Sequence, residues 1–72
     1  MRGLASLESF ARNLRRARDR AGLSQEALAE RSGMHRNAIA LLEAGKRDPR
    51  VSTVGKLAKG LAIPARDLLK DV

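Results

Sequence analysis

Three glycines divide most of the chain into short segments whose apolar residues recur at helical spacing. Gly22, Gly33 and Gly45 stand where these patterns stop, and glycine is favoured just past a helix end because it adopts a left-handed conformation without steric cost. The pattern predicts helices over residues 7–21, 25–32 and 36–44. The second and third helices are then joined by a turn of only three residues, a connection that brings two short helices into close contact.

Apolar residues five positions apart accompany the start of three predicted helices. The pairs are Leu23 with Leu28, Met34 with Ile39, and Ile63 with Leu68, each at the positions of a hydrophobic staple. Ser24 is a good N-cap for the second helix, and His35 occupies the same position before the third. A fourth helix over 51–61 is predicted from Val51, Val54, Leu57, Ala58 and Leu61. A fifth helix over 65–71 follows Pro64.

The composition agrees with an all-helical fold in a single domain, residues 1–72. Leucine and alanine contribute 11 and 12 residues, whereas valine, isoleucine and threonine together contribute six, so helix is favoured over strand. A chain of 72 residues is too short for two domains. It has no cysteine, so its stability must come from its apolar core or from a partner subunit.

The charge balance points to a polyanionic partner. Fifteen lysines and arginines against eight acidic residues give a net charge of +7, which favours nucleic acid. Aromatic residues make up 1% of the chain, and single-stranded binding normally stacks bases on aromatic rings, so duplex DNA is the better candidate.

Other classes of function find little support in the residues. One histidine, no cysteine and no glycine-rich phosphate loop argue against an enzyme, a metal site or a cofactor. The longest apolar run, residues 38–42, is far shorter than the roughly 20 residues that a membrane span needs. We expect a cytoplasmic protein without membrane contact.

The most informative motif begins at Gln25. Ala29 and Gly33 stand at its fifth and ninth positions, where a helix-turn-helix requires a small residue at the helix crossing and a left-handed residue in the turn. Leu28, Met34, Ile39 and Leu42 occupy the inward positions. Residues 22–49, GLSQEALAERSGMHRNAIALLEAGKRDP, resemble the phage-repressor, Cro-like (XRE) helix-turn-helix family, and the resemblance extends over residues 10–69.

This resemblance implies a compact, five-helix, lambda-repressor-like domain. Helices 2 and 3 form the helix-turn-helix, and helix 3 enters the major groove, usually in a homodimer on a two-fold-related operator. Gln25 matches a phosphate-binding glutamine, and Lys46 and Arg50 match positions that contact the DNA backbone. Arg18 and Glu43 match a charged pair that ties helix 1 to helix 3.

Bases are read, under the same resemblance, at the positions of Arg36, Asn37 and Leu41. Helical geometry agrees, because with Ile39 and Leu42 inward the opposite face carries Arg36, Asn37, Ala40, Leu41 and Ala44. Arginine pairs bidentately with guanine and asparagine with adenine, while apolar Ala40 and Leu41 suit thymine methyl groups.

Further basic residues are candidates for phosphate contact. Arg47 lies between the two backbone-contacting positions, and His35 is either an exposed helix-entry residue or a phosphate donor. Four arginines of helix 1 form either a solvated face or a phosphate-binding one: Arg12, Arg15, Arg16 and Arg20.

The interpretation is a sequence-specific, duplex-DNA-binding transcriptional regulator that acts as a homodimer on a near-palindromic operator. Leu68, Leu69 and Val72 are predicted to form the dimer interface, because one small core does not cover every apolar side chain near the C-terminus. An antitoxin that neutralises a toxin by protein contact and autoregulates its operon is the alternative. A helical scaffold without sequence preference is a third.

Overall fold

The computed structural model describes residues 4–72, and helix is the only regular secondary structure in that range. Its helices are α1 (Leu4–Ala21), α2 (Gln25–Ser32), α3 (Arg36–Glu43) and α4 (Val51–Leu61). A 3₁₀ turn, Ala65–Asp67, follows α4. The all-helical prediction is confirmed, and the predicted bounds of α2 and α4 are correct. α1 begins three residues earlier than predicted. α3 ends one residue earlier than predicted, at Glu43, and Ala44 is its C-cap.

The predicted fifth α-helix over 65–71 is wrong. Backbone hydrogen bonds after Pro64 join residues three apart, from Asp67 N–H to the Pro64 carbonyl and from Leu68 N–H to the Ala65 carbonyl. The Asn13 side-chain amide donates hydrogen bonds to the backbone carbonyls of Leu68 and Lys70, at 3.0 and 2.7 Å. Asp71 has a φ of +64°, which interrupts any helix. The segment is therefore held by α1 and does not form a helical ladder of its own.

The turn between α2 and α3 has the predicted geometry. Gly33 has a φ of +66° and a ψ of +36°, in the left-handed region, and the next residue's N–H bonds back to the Ala29 carbonyl at 2.9 Å. The Ser24 hydroxyl accepts the N–H of Ala27 at 3.0 Å, so Ser24 caps α2 as predicted. These local contacts fix where α3 begins relative to α2.

The core draws on every helix. The largest fully buried side chains are Phe10, Leu14, Leu28, Ile39, Leu42, Leu57 and Leu68. Val51 belongs to the apolar pattern that predicted α4 but is 90% exposed, because it occupies the first position of that helix and projects beyond the core. No described helix combines the length and hydrophobicity that a membrane crossing demands.

α2 and α4 cross closely at Ser32 and Gly60. A Cβ on Gly60 would overlap the Ser32 hydroxyl oxygen and lie 3.3 Å from backbone atoms of Arg31 and Ser32. A side chain at position 60 therefore requires the Ser32 hydroxyl to move and the two helices to separate slightly. The Ser32 hydroxyl is buried there and has no hydrogen-bond partner among the described residues.

Candidate nucleic-acid interface

α3 presents the predicted base-reading residues on its outer side. Ile39 and Leu42 are completely or almost completely buried, and this fixes the rotation of the helix about its axis. Arg36 and Asn37, in its first turn, are exposed, and Ala40 and Leu41 are half-buried on the same side. The first turn thus offers two polar side chains to a ligand, and the second offers a smaller apolar surface.

Shallow depressions connect this side of α3 to its neighbours. Arg36 lines one together with Ser24, Gln25 and Glu26 of α2, and a second together with Asn37, Leu41, His35 and Arg47. Arg47 also lines a third, with Arg50 and the first turn of α4. We call this continuous surface, from Gln25 through α3 to Arg50, the helix-turn-helix face. Ala40 and Lys46 border none of the three depressions.

At one end of the helix-turn-helix face, the start of α2 leaves amide donors available. Ser24 accepts the N–H of Ala27 on its hydroxyl and that of Leu28 on its carbonyl, at 3.0 Å each. Gln25 and Glu26, the first two residues of the helix, then have backbone N–H groups without a partner in the described chain. Such groups at a helix start favour phosphate.

A buried carboxylate, that of Glu43, joins three elements behind this face. Arg18 of α1 binds it bidentately, with Nε to Oε2 at 2.6 Å and Nη2 to Oε1 at 3.0 Å. The Gln25 side chain of α2 donates its Nε2–H to Oε1 at 3.0 Å. The structure thus brings the predicted pair Arg18 and Glu43 together, and it adds Gln25, whose amide is both part of this cluster and beside the free N–H groups.

The environment of Arg18 suits a permanent charge. Its hydrogen bond to Glu43 raises the pKa of Arg18 above the usual value, burial opposes that shift, and the charges of Glu43 and Asp19 add to it. Arg18 also donates to the Leu23 carbonyl at 2.9 Å, so its guanidinium ties the connection between α1 and α2 to the Glu43 carboxylate of α3. The pair therefore positions Gln25 and α3 relative to each other.

The other end of the helix-turn-helix face is basic. His35, Lys46, Arg47 and Arg50 are all exposed, and the His35 side chain makes no capping hydrogen bond although the residue is the N-cap of α3. Ser52 and Thr53, which were not among the residues predicted to bind DNA, line the depression beside Arg50. The sequence does carry a signal for them: they lie two and three positions after Arg50, in the first turn of α4, and helix starts and hydroxyl groups both bind phosphate.

The four arginines of α1 divide between different surroundings. Arg15 donates to the backbone carbonyl of Glu43 at the end of α3, and Arg12 lies near the Ser9 hydroxyl at 3.5 Å. Arg16 and Arg20 instead line a separate groove beside the C-terminal segment. The predicted single basic face of α1 is therefore two surfaces.

Part of the predicted dimer interface is wrong. Leu68 has no exposed surface and packs in the core of its own chain, so it is not available to a partner. Leu69 and Val72 remain, at 45% and 38% exposure, because the backbone after the 3₁₀ turn directs only Leu68 inward.

Comparison with known proteins gives one consistent family. The model of a family described as helix-turn-helix matches residues 14–68. The chain is 44% identical over 62 residues to control protein C.SmaI of Serratia marcescens, covering 86% of this chain and 74% of that protein. It is 39% identical over 64 residues to the transcriptional repressor RghR of Bacillus subtilis strain 168, covering 88% of this chain but only 47% of the repressor.

A solved structure shows the same fold. The restriction-modification controller protein C.AhdI from Aeromonas hydrophila superimposes with a TM-score of 0.86 at 41% sequence identity. The match covers 89% of this chain and 97% of that one.

Proposed function

This chain belongs to the helix-turn-helix family of transcriptional regulators. From that membership we infer that it binds a specific duplex DNA sequence. We infer further that it does so as a homodimer on a near-palindromic operator. One observation carries the inference. The outer side of α3, with exposed Arg36 and Asn37, lies between a helix start with free amides and a loop with three exposed cations. Base-reading groups are thus flanked on both sides by phosphate-binding groups, as sequence-specific recognition requires.

Base recognition falls to the first turn of α3. Arg36 donates two hydrogen bonds to guanine O6 and N7, and Asn37 pairs with adenine N6 and N7. Leu41 and Ala40, one turn further, contact thymine methyl groups. An α-helix fits the major groove, so all four reach base edges from a single docking position.

Phosphate contacts hold α3 in that position. Gln25 and the free amides of α2 bind the backbone on one side of the groove, and His35, Lys46, Arg47 and Arg50 bind it on the other. The Glu43 carboxylate accepts the 3.0 Å hydrogen bond of the Gln25 amide and so keeps that amide in place. The start of α2, which binds phosphate, and α3, which reads the bases, therefore move as one unit.

Dimerisation doubles the site. Leu69 and Val72 supply apolar surface for a two-fold contact, in which the same patch serves both subunits. Two copies of α3 then meet successive major grooves about 34–36 Å apart. The names of the relatives, a control protein, a repressor and a restriction-modification controller, support gene regulation as the output.

Selection of bound sequences from random duplex tests this function. We expect enriched sites to be near-palindromic and to bind roughly 1,000-fold more tightly than shuffled duplex. Arg36→Ala/Asn37→Ala should abolish that preference, whereas Arg31→Ala/Glu30→Ala, two exposed residues of α2 away from the helix-turn-helix face, should retain it. Equal affinity for selected and shuffled duplex would overturn sequence-specific binding, and enrichment of isolated half-sites would overturn the dimer.

A further inference from the structure

A groove lies between the C-terminal half of α1 and the segment that follows α4. Ala17, Leu61 and Ile63, which are buried or half-buried, form its floor, and the exposed cations Arg16, Arg20 and Lys70 lie on its rim. Its volume is about 480 Å³, within the range of ligand pockets, and it is partly open to solvent along its length. We call it the α1 groove.

The wall of the α1 groove is fixed in place. Asn13 of α1 donates to the carbonyls of Leu68 and Lys70, which ties the C-terminal segment to the helix. Leu68, fully buried between them, anchors the same segment from inside. The backbone that lines the groove is therefore in place before any ligand arrives, so binding does not have to order the C-terminal segment.

The charge of the groove is unbalanced. Three cations surround the floor, and Asp67 is the one acidic side chain that lines it. Among residues 4–72, none of the three cations has a carboxylate within salt-bridge distance. Exposed cations around apolar surface suit a ligand with acidic groups around an apolar centre.

The α1 groove lies apart from the helix-turn-helix face. Arg18 of α1 points to α3. Arg16 and Arg20, each two residues from Arg18, are rotated about 200° around the helix axis from it and therefore lie on the opposite side of α1. None of the groove-lining residues lines a depression of the helix-turn-helix face. A ligand in the groove and a ligand on that face therefore do not compete for the same side chains.

We propose that the α1 groove docks an acidic, amphipathic segment of a partner protein. Apolar side chains of the segment fill the floor over Ala17, Leu61 and Ile63, and its carboxylates meet Arg16, Arg20 and Lys70. A second copy of this chain is a poor occupant, because Leu69 and Val72, the apolar side chains of the proposed two-fold contact, do not line the groove. Duplex DNA is a poor occupant as well, because its sugar-phosphate backbone offers no apolar side chain to the floor.

Fluorescence anisotropy with a synthetic peptide tests the proposal. The probe is a fluorescein-labelled peptide of about four helical turns, with Leu and Phe on one face and Asp and Glu elsewhere. An oligoglutamate of equal length reports charge attraction alone. We compare Arg16→Ala/Arg20→Ala/Lys70→Ala with Arg31→Ala/Lys56→Ala/Lys59→Ala, a control that removes three exposed cations outside the groove.

The groove variant should bind the amphipathic peptide about tenfold more weakly than the wild type, and the control variant less than threefold more weakly. Amide NMR signals of Ala17, Leu61 and Ile63 should shift on peptide addition while those of Arg36 and Asn37 stay unchanged. Equal losses in both variants, equal affinity for oligoglutamate, no binding, or shifts confined to α3 would each overturn the proposal. The assay contains no DNA, so its failure leaves the DNA-binding proposal standing, and the reverse also holds.

Discussion

Two buried polar side chains have opposite surroundings. The Glu43 carboxylate receives hydrogen bonds from Arg18 and Gln25, whereas the Ser32 hydroxyl receives and donates none within the described chain. A buried polar group that is paired destabilises the fold when its partner is lost, and an unpaired one destabilises it while present. Truncation of Glu43 should therefore lower the free energy of unfolding, and truncation of Ser32 should raise it.

Glu43→Ala should destabilise the fold by about 3 kcal/mol, because it leaves the Arg18 guanidinium partly buried without its carboxylate. Thermal and urea unfolding measure the loss. Glu30→Ala, on the exposed side of α2, is the control and should change stability by less than about 0.5 kcal/mol. Adding Arg18→Met to Glu43→Ala should recover part of the loss, and strictly additive small losses would show that the pair contributes little.

Ser32→Ala should stabilise the fold by about 1 kcal/mol, since it removes a buried hydroxyl that has no partner. The midpoint of thermal unfolding should rise by about 4–8 °C for a domain of this size. Gly60→Ala, at the other side of the same helix crossing, should lower it, because the new Cβ would overlap the Ser32 hydroxyl oxygen and crowd backbone atoms of α2. A lower midpoint for Ser32→Ala would mean that the hydroxyl is paired in solution.

Arg36→Ala should reduce sequence discrimination by about 1–3 kcal/mol, because the proposed bidentate contact to guanine is lost. The ratio of affinities for the selected operator and for shuffled duplex measures this effect. Arg31→Ala removes the same charge from α2 and should leave the ratio unchanged. If Arg36→Ala weakens both duplexes equally, Arg36 contacts only the DNA backbone.

At the scale of the elements, α3 depends on its neighbours. It has eight residues, too few for a stable isolated helix, and its N-cap side chain makes no hydrogen bond. Ile39 and Leu42 in the core and the Glu43 cluster at its end hold it instead. The backbone N–H of Lys46 bonds to the Leu41 carbonyl at 3.0 Å, so the loop after α3 begins from a fixed point on that helix.

Lys46→Ala/Arg50→Ala should weaken binding to all duplexes alike and should reduce the salt dependence. Each phosphate contact contributes about −0.9 to the slope of log K against log salt concentration, so the double variant should lose nearly two units of slope. Titrations at several salt concentrations measure it. The control Lys56→Ala/Lys59→Ala, two exposed lysines of α4, should keep the wild-type slope, and a matching drop there would assign the effect to net charge alone.

At the scale of the whole molecule, assembly depends on which exposed apolar side chains meet a second copy. Leu69→Asp should weaken dimerisation and operator binding together, because it places a charge in the proposed two-fold contact. Val51→Asp, at the 90% exposed start of α4, is the matched control and should leave the dimer intact. Sedimentation without DNA gives the oligomeric state. A wild-type monomer, or a dimer broken only by Val51→Asp, would contradict the proposed interface.

Local sequence determined the helices and the turn of this protein. Gly33 after Ala29 specifies the tight connection, Ser24 caps α2, and the spacing of Ile39 and Leu42 sets which side of α3 faces outward. These features depend on residues within one or two helical turns of each other, where backbone geometry and apolar periodicity act directly. The fold class and the candidate reading surface follow from them.

Contacts between distant residues were decided only by the tertiary structure. Asn13 donates to the carbonyls of Leu68 and Lys70, more than 50 positions away. These bonds hold the C-terminal segment as a 3₁₀ turn in place of the predicted fifth helix. That turn buries Leu68, exposes Leu69 and closes one wall of the α1 groove. Periodicity does not reveal such pairings, because a side-chain amide bonds to any carbonyl that the packed core brings within reach.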